Sequence, residues 1–374
     1  MAKGLKILLL CGLYPEQKKI LESEVKSPDF EEIRKTFLKI TSIPAKFFFY
    51  LNKNFDFTQI VFNSEFHQKI WEKEFFPENS AFVRKITSSI KPISKIDFYS
   101  TEDFYRILAK QIIFFKPDVI INLETEQVNP LFFKILKNSV GFKLIGYHGA
   151  NPIKVDLSQY DAFISTFMPN VSKARAYGIK AELINFGIDP DEIKSILSEL
   201  GDKEKKYPIV FSGSLHKVHR SRLVLLESIA EEFGEQFNLF THTDYALTPI
   251  LKEVYKGEVF GKDHIKTLAL SKISINHHGD ILPWAHNIRL YEATAAGSLL
   301  ITDELPGLRN LFEVGREVAA YSSIHECIKL IRKFLEDDEE REKIAKAGQK
   351  KTLSKHTYEN KLEKLIEMIK DITS

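Results

Sequence analysis

Asn287-Ile288-Arg289-Leu290-Tyr291-Glu292-Ala293-Thr294-Ala295-Ala296-Gly297, followed by Ser298-Leu299-Leu300-Ile301-Thr302-Asp303, is the stretch that decides the fold of this chain. It reads as a short helix, a glycine stop and a buried strand. Helical spacing sets Arg289 and Glu292 on one face. A carboxylate can accept hydrogen bonds from a vicinal diol, and a guanidinium beside a helix N-terminus can hold a diphosphate. The combination suits a nucleotide-sugar.

Upstream lies a loop rich in histidine, Asn276-His277-His278-Gly279-Asp280-Ile281-Leu282-Pro283-Trp284-Ala285-His286-Asn287. A zinc site needs three or four ligands in fixed geometry with a supporting shell. Three histidines on one loop with no cysteine fit polar contacts to a sugar or a diphosphate better. Further upstream, Pro208–Gly213 reads as a strand ending in glycine. The loop after it is Gly213-Ser214-Leu215-His216-Lys217-Val218-His219-Arg220-Ser221-Arg222. Small residues at 212–214 let the backbone approach a phosphate closely. A helix over 221–233 would add its positive end to the Arg220 guanidinium. The Gly-Lys-Ser ending of a Walker loop is missing. Other strands of this half are expected at 237–241, 273–276 and 298–302.

The first half alternates apolar runs with helical stretches. Strands are expected at 6–11, more weakly at 59–62, then at 118–123, 143–147, 162–165 and 182–186, with a helix over 104–115. Continuous apolar runs suit strands covered on both faces of a parallel sheet, and their alternation with helices reads as doubly wound α/β. Gly187-Ile188-Asp189-Pro190-Asp191 carries turn chemistry. The Asp-Pro-Asp letters match a metal-binding pattern, but in a turn opening a helix aspartate is a common cap, so this motif is read as structural. Ligands of open α/β sheets bind beyond the carboxyl ends of the strands, which draws attention to Glu124 and to Tyr147-His148-Gly149-Ala150-Asn151-Pro152. Either His148 or Glu124 could serve as a general base on a hydroxyl, and the sequence does not choose between them.

Residues 273–358 resemble the C-terminal half of the CgeB-like (spore-maturation type) glycosyltransferases of GT-B fold. The resemblance rests on the opening stretch, on Asp303-Glu304-Leu305-Pro306-Gly307-Leu308 and Phe312-Glu313-Val314-Gly315-Arg316-Glu317, and on Arg341–Gln349 with His356-Thr357-Tyr358. It implies two Rossmann-like doubly wound α/β domains facing across a cleft. These are an acceptor-side domain over 1–190, a nucleotide-sugar donor domain over 208–356, and a last helix over 357–374 crossing back to the first domain. It implies a metal-independent transfer of a sugar from a nucleoside diphosphate-sugar to an acceptor hydroxyl, in cell-surface glycan or glycoconjugate synthesis. The donor is a substrate, and no cofactor is implied. The acceptor would be a glycan, a lipid-linked molecule or a protein.

By the same resemblance Glu292 takes the place of the second glutamate of an E-x7-E pattern and binds ribose. The first glutamate is replaced by Trp284, and Asp280 is the nearest acid that could reach the donor sugar. Arg220 would stabilise the departing diphosphate, with Lys217 and Arg222 behind it. Gly213, Ser214, His286, Asn287 and Arg289 complete the expected donor site.

Composition is consistent with this reading. The chain is long enough for two domains of ordinary size, and 44% hydrophobic with 28% charged residues is globular. Fifty-three basic against 51 acidic residues argues against a nucleic-acid binder. Cys11 and Cys327 form no framework and are read as buried thiols. The apolar run at 6–12 is too short for a secretory or membrane segment, so a cytoplasmic protein is expected. Phe47-Phe48-Phe49-Tyr50 among Lys35, Lys39, Lys46 and Lys53 is either core packing or a basic-aromatic surface for the inner face of a membrane. Two rival functions remain: a sugar-nucleotide epimerase of the same architecture, and a binding protein without catalysis.

Overall fold

A computed structural model describes residues 4–13, 15–27, 29–40, 43–76, 101–149, 151–201, 204–215, 219–243, 246–280 and 283–374. The chain divides into two compact units: Met1–Asn185 with Leu362–Ser374, and Phe186–Lys361.

The sheet of the first unit is built from β1 (Lys6–Cys11), β2 (Asp56–Val61), β3 (Val119–Asn122), β4 (Lys143–Tyr147), β5 (Ala162–Ser165) and β6 (Lys180–Leu183). Their order is β2-β1-β3-β4-β5-β6, and all pairs are parallel. β3 and β5 are buried at every residue, which is why they read as unbroken apolar runs. The second unit uses β7 (Tyr207–Ser212), β8 (Phe237–Phe240), β9 (Ser271–Asn276), β10 (Leu299–Asp303) and β11 (Ala319–Tyr321). Here the order is β11-β10-β9-β7-β8, again all parallel. Both units are thus Rossmann-like α/β layers. β11 went unread in the sequence because three residues are too few to establish a period.

In both sheets the first strand lies between the second and the third. The chain therefore leaves it toward one edge and later returns on its other side. At such a switch point the loops diverge and leave a crevice beyond the strand ends. The switch point of the first unit lies between β1 and β3, and that of the second between β7 and β9. The loops that follow these four strands begin at Gly12, Leu123, Gly213 and His277.

The expected domain boundary after residue 190 moves to 185/186. Helix Pro190–Leu200 joins the second unit because it packs on helix Gly261–Ala269, where Lys262 and Lys266 both pair with Glu199. Asp189 caps that helix as read, its Oδ1 accepting from the Asp191 and Glu192 amides at 2.9 and 3.3 Å. Residues Leu362–Ser374, most of the last helix Tyr358–Thr373, belong to the first unit and bury Leu362, Leu365, Met368 and Ile369. Phe47 and Phe48 are buried in the first unit and serve packing, while Phe49 and Tyr50 are half-buried. Cys11 and Cys327 are free and buried.

One close approach fixes the short helix of the opening stretch, Arg289–Ala295. Helix Asp338–Lys355 lies against it, with Thr294 and Thr352 hydroxyls 2.6 Å apart. A Cβ on Gly348 would stand 2.2 Å from the Glu317 carbonyl oxygen. Gly348→Ala is expected to destabilise the protein by about 1–3 kcal/mol through overpacking, read as a lower urea midpoint. An unchanged midpoint would rule out this packing.

Candidate functional site

Helix Arg289–Ala295 runs from the loop after β9 into β10, and Leu290 to Ala295 are all buried. Glu292 is only 9% exposed. Its Oε2 accepts from His264 Nε2 at 3.1 Å, and the other ring nitrogen, Nδ1, accepts from Ser212 Oγ at 2.9 Å. Since a carboxylate only accepts, Nε2 carries the proton and the serine hydroxyl donates. Arg289 Nη1 donates to the carbonyl of the same Ser212. Burial pushes the Arg289 pKa down and the Glu292 charge opposes that. Gly213 lets the guanidinium lie close to the chain: a Cβ there would stand 2.9 Å from Arg289 Nη1 and displace it. Ser212 and Gly213 close β7, Glu292 and Arg289 precede β10, and His264 sits on helix Gly261–Ala269. Three elements therefore meet at the switch point.

Arg222, expected as a reserve phosphate ligand, has another task. It is 8% exposed, and its Nη1 donates to the Ser214 carbonyl at 2.8 Å while Nη2 donates to the His277 carbonyl at 2.7 Å. The fork ties the loop after β7 to the loop after β9. Burial, aided by the neighbouring Arg289 charge, lowers its pKa to about 10 against the pull of Asp303, Tyr321 and Asp280. Arg220 is exposed at the first residue of helix Arg220–Phe233 and makes no ion pair or side-chain hydrogen bond among the described residues. Lys217 and His216 lie outside the described residues.

The start of that helix holds an anion of the chain's own. Asp280 Oδ2 accepts from the Ser221 amide at 3.1 Å, and Oδ1 accepts from the Ser221 hydroxyl. Burial works to raise the Asp280 pKa, but the two Ser221 donors, with His277 and His219, hold it below the usual range. Asp280 was expected to reach a donor sugar. Both its oxygens are instead engaged at the helix end, where backbone amides favour a carboxylate.

The strand ends of β9, β10 and β11 are joined by a directed polar chain. Asn287 Nδ2 donates to Asn276 Oδ1 (2.8 Å), Asn276 Nδ2 to Thr302 Oγ1 (2.9 Å), and Thr302 Oγ1 to Asp303 Oδ1 (3.1 Å). Asp303 also accepts from His278 Nδ1 at 2.6 Å and from the His278 amide. Burial pushes the Asp303 pKa up, but the His278 hydrogen bond and the His278 and His277 charges bring it below the usual carboxylate range. Tyr321 donates to the Asn276 carbonyl at 2.9 Å, and its ring stacks on His277. His286 Nδ1 donates to the Trp284 carbonyl at 2.6 Å, and burial lowers its pKa, favouring the neutral ring. The Trp284 indole fills the space over Gly307. Among the described residues, His278 Nε2, Asn287 Oδ1 and Arg289 Nε are buried without a partner, and such atoms call for an explanation such as a ligand.

In the first unit Glu124 and His148 follow neighbouring strands. Glu124 accepts from Gln127 Nε2 at 2.8 Å and stands beside Gly12, at the β1–β3 switch point. Burial raises its pKa to about 7, against a hydrogen bond from the Gly12 backbone. His148 has both ring nitrogens engaged, Nδ1 with Thr125 Oγ1 at 3.2 Å and Nε2 with Asn151 Oδ1.

Residues 220–367 match a protein family described as glycosyl transferase-like. The chain has the GT-B fold. Among solved structures it is similar to a glycosyltransferase from Rickettsia africae, with 14% identity, a TM-score of 0.59, and 99% of this chain and 98% of that one covered. It is also similar to sucrose-phosphate synthase from Thermosynechococcus elongatus (11%, TM-score 0.60, 98% and 99% covered). A third relative is HepE from Anabaena, solved in complex with UDP-glucose (13%, TM-score 0.57, 98% and 100% covered). No curated protein matches the sequence. The family match takes in Arg220, His264, Asp280, His286, Asn287, Arg289 and Glu292, and leaves out Ser212, Gly213 and Ser214.

Among the described residues, no group of three or more His, Cys, Asp or Glu could hold a metal ion. Among them, too, no helix is long and apolar enough to cross a membrane.

The raised Glu124 pKa has a measurable consequence. In the unfolded chain this carboxyl loses its proton near its ordinary value of 4.5, and in the folded chain at about 7. Between these values the folded state binds the extra proton, so stability falls as pH rises through the window. Glu124→Gln should remove that loss, making the variant more stable than the wild type at pH 8 and close to it at pH 4.5. Urea midpoints across this range test it, and parallel curves would refute it.

Proposed function

We propose that the protein transfers a sugar from a nucleoside diphosphate-sugar to an acceptor hydroxyl, as a glycosyltransferase of the CgeB-like kind. The observation that carries the proposal is Glu292, buried at the carboxyl end of the sheet and held by His264 next to the half-buried Arg289. A carboxylate so placed accepts hydrogen bonds from a ribose diol. Arg289 Nε, Asn287 Oδ1 and His278 Nε2, which lack partners among the described residues, are further groups that a ligand of this unit could engage. That HepE is solved with UDP-glucose, and also with UDP and glucose, supports a UDP-sugar donor and a sugar acceptor.

The chemistry asks mainly for stabilisation of the leaving diphosphate, on which charge grows as the glycosidic bond breaks. Arg289 supplies a fixed positive charge, and the exposed Arg220 supplies a mobile one. Gly213 and Ser214 offer backbone that a phosphate can approach. In the first unit Glu124 fits the role of base on the acceptor hydroxyl better than His148, because its pKa lies near working pH while both nitrogens of His148 are engaged. A role in cell-surface glycan synthesis at the cytoplasmic side is part of the proposal. One observation favours a second reading, donor binding without transfer: Trp284 replaces the acid expected eight residues before Glu292.

Nucleoside diphosphate release from a panel of nucleotide-sugars, with and without sugar acceptors, tests the reading. Arg220→Ala and Glu292→Gln are each expected to lower turnover about a hundredfold. Binding with no release under any condition would leave only the second reading.

A further inference from the structure

The closed arrangement of Ser212, His264, Glu292 and Arg289 has a property that the proposed function does not require. His264 lies 28 residues before Glu292 and 52 after Ser212, and it is 8% exposed. Its ring bridges a strand end to a helix carboxylate, with one nitrogen for each. A glutamate side chain has three rotatable torsions, and fixing them costs rotamer entropy. The bridge meets that cost during folding, before any ligand arrives. The Glu292 carboxylate can only accept, so Nε2 carries the proton and the Ser212 hydroxyl adapts as donor to Nδ1; His264 thus meets Glu292 as a donor at Oε2.

We infer that His264 is a positioning residue: by holding Oε2 it presents the Glu292 carboxylate in one orientation to the ribose diol of a nucleoside diphosphate, and so sets selectivity for the ribose. This rests on the nucleotide-binding reading above and adds a specific division of labour to it. His264 touches no ligand. Its effect passes entirely through Glu292, and is confined to the part of the ligand that Glu292 contacts. A histidine that merely stabilised the fold would affect all ligands of the unit alike.

The test measures binding of UDP, ADP, GDP and CDP, each beside its 2′,3′-dideoxy counterpart, by calorimetry on the full chain. The wild type should prefer the ribose form of its best ligand about tenfold or more, the scale of one charge-assisted hydrogen bond. His264→Phe should bring the two forms within about twofold while affinity for the dideoxy form stays as in the wild type. His264→Gln, which keeps a donor and serves if the phenylalanine variant fails to fold, should retain part of the preference. In a Glu292→Gln background, replacing His264 should change the preference no further. A ribose preference lost in Glu292→Gln but intact in both His264 variants would overturn the inference and leave the function standing. Equal weakening of ribose and dideoxy forms would overturn it as well, and would assign His264 to the fold alone. Absence of binding by all four nucleotides to the wild type would instead overturn the nucleotide reading itself, and this inference with it.

Discussion

The second unit is organised around one constraint: a buried carboxylate and a half-buried guanidinium, side by side, both need hydrogen-bond partners. Glu292 and Arg289 are on the same helical face, and neither is freely hydrated. Charged groups are tolerated in such places only when hydrogen-bonded. The chain meets the requirement by using Ser212 twice, its carbonyl for Arg289 and its hydroxyl for the histidine that holds Glu292. Because Ser212 is the last residue of β7, the arrangement exists only when β7 ends level with helix Arg289–Ala295. Gly213 follows and lets the guanidinium lie close to the chain. Arg222 repeats the device, with one fork bonded to the carbonyls of two different loops.

Carboxyl groups at the two switch points behave in opposite ways, and the difference is one of partners. Asp303 and Asp280 gather donors from histidines, serine and backbone and remain ionised. Among the described residues Glu124 has Gln127 and the Gly12 backbone against its burial, and it titrates at about 7. The first kind builds the frame of a site. The second is suited to taking up and giving back a proton.

Much of the architecture could be read in advance, because continuous apolar strands such as β3 and β10 carry a local signature. The opening stretch announced its helix, its stop and its strand, and the glutamate it contains is buried where the sheet ends. What could not be read were contacts made at long sequence separation. Nothing near His264 sets it apart from any helical histidine, since its partners are 28 and 52 residues away. The Arg222 fork and the Asp280 cap were hidden for the same reason. From sequence alone Arg220 ranked first, but Arg222 looked like a reserve for the same task. Burial separates them, leaving Arg220 at the surface and locking Arg222 into the frame. β11 and Tyr321 escaped because three residues leave no pattern.

The last helix lends its final thirteen residues, Leu362–Ser374, to a unit whose other residues all precede position 186. The first unit is therefore discontinuous in sequence, and Leu362, Leu365, Met368 and Ile369 can be buried in it only after the chain has passed through the whole of the second unit.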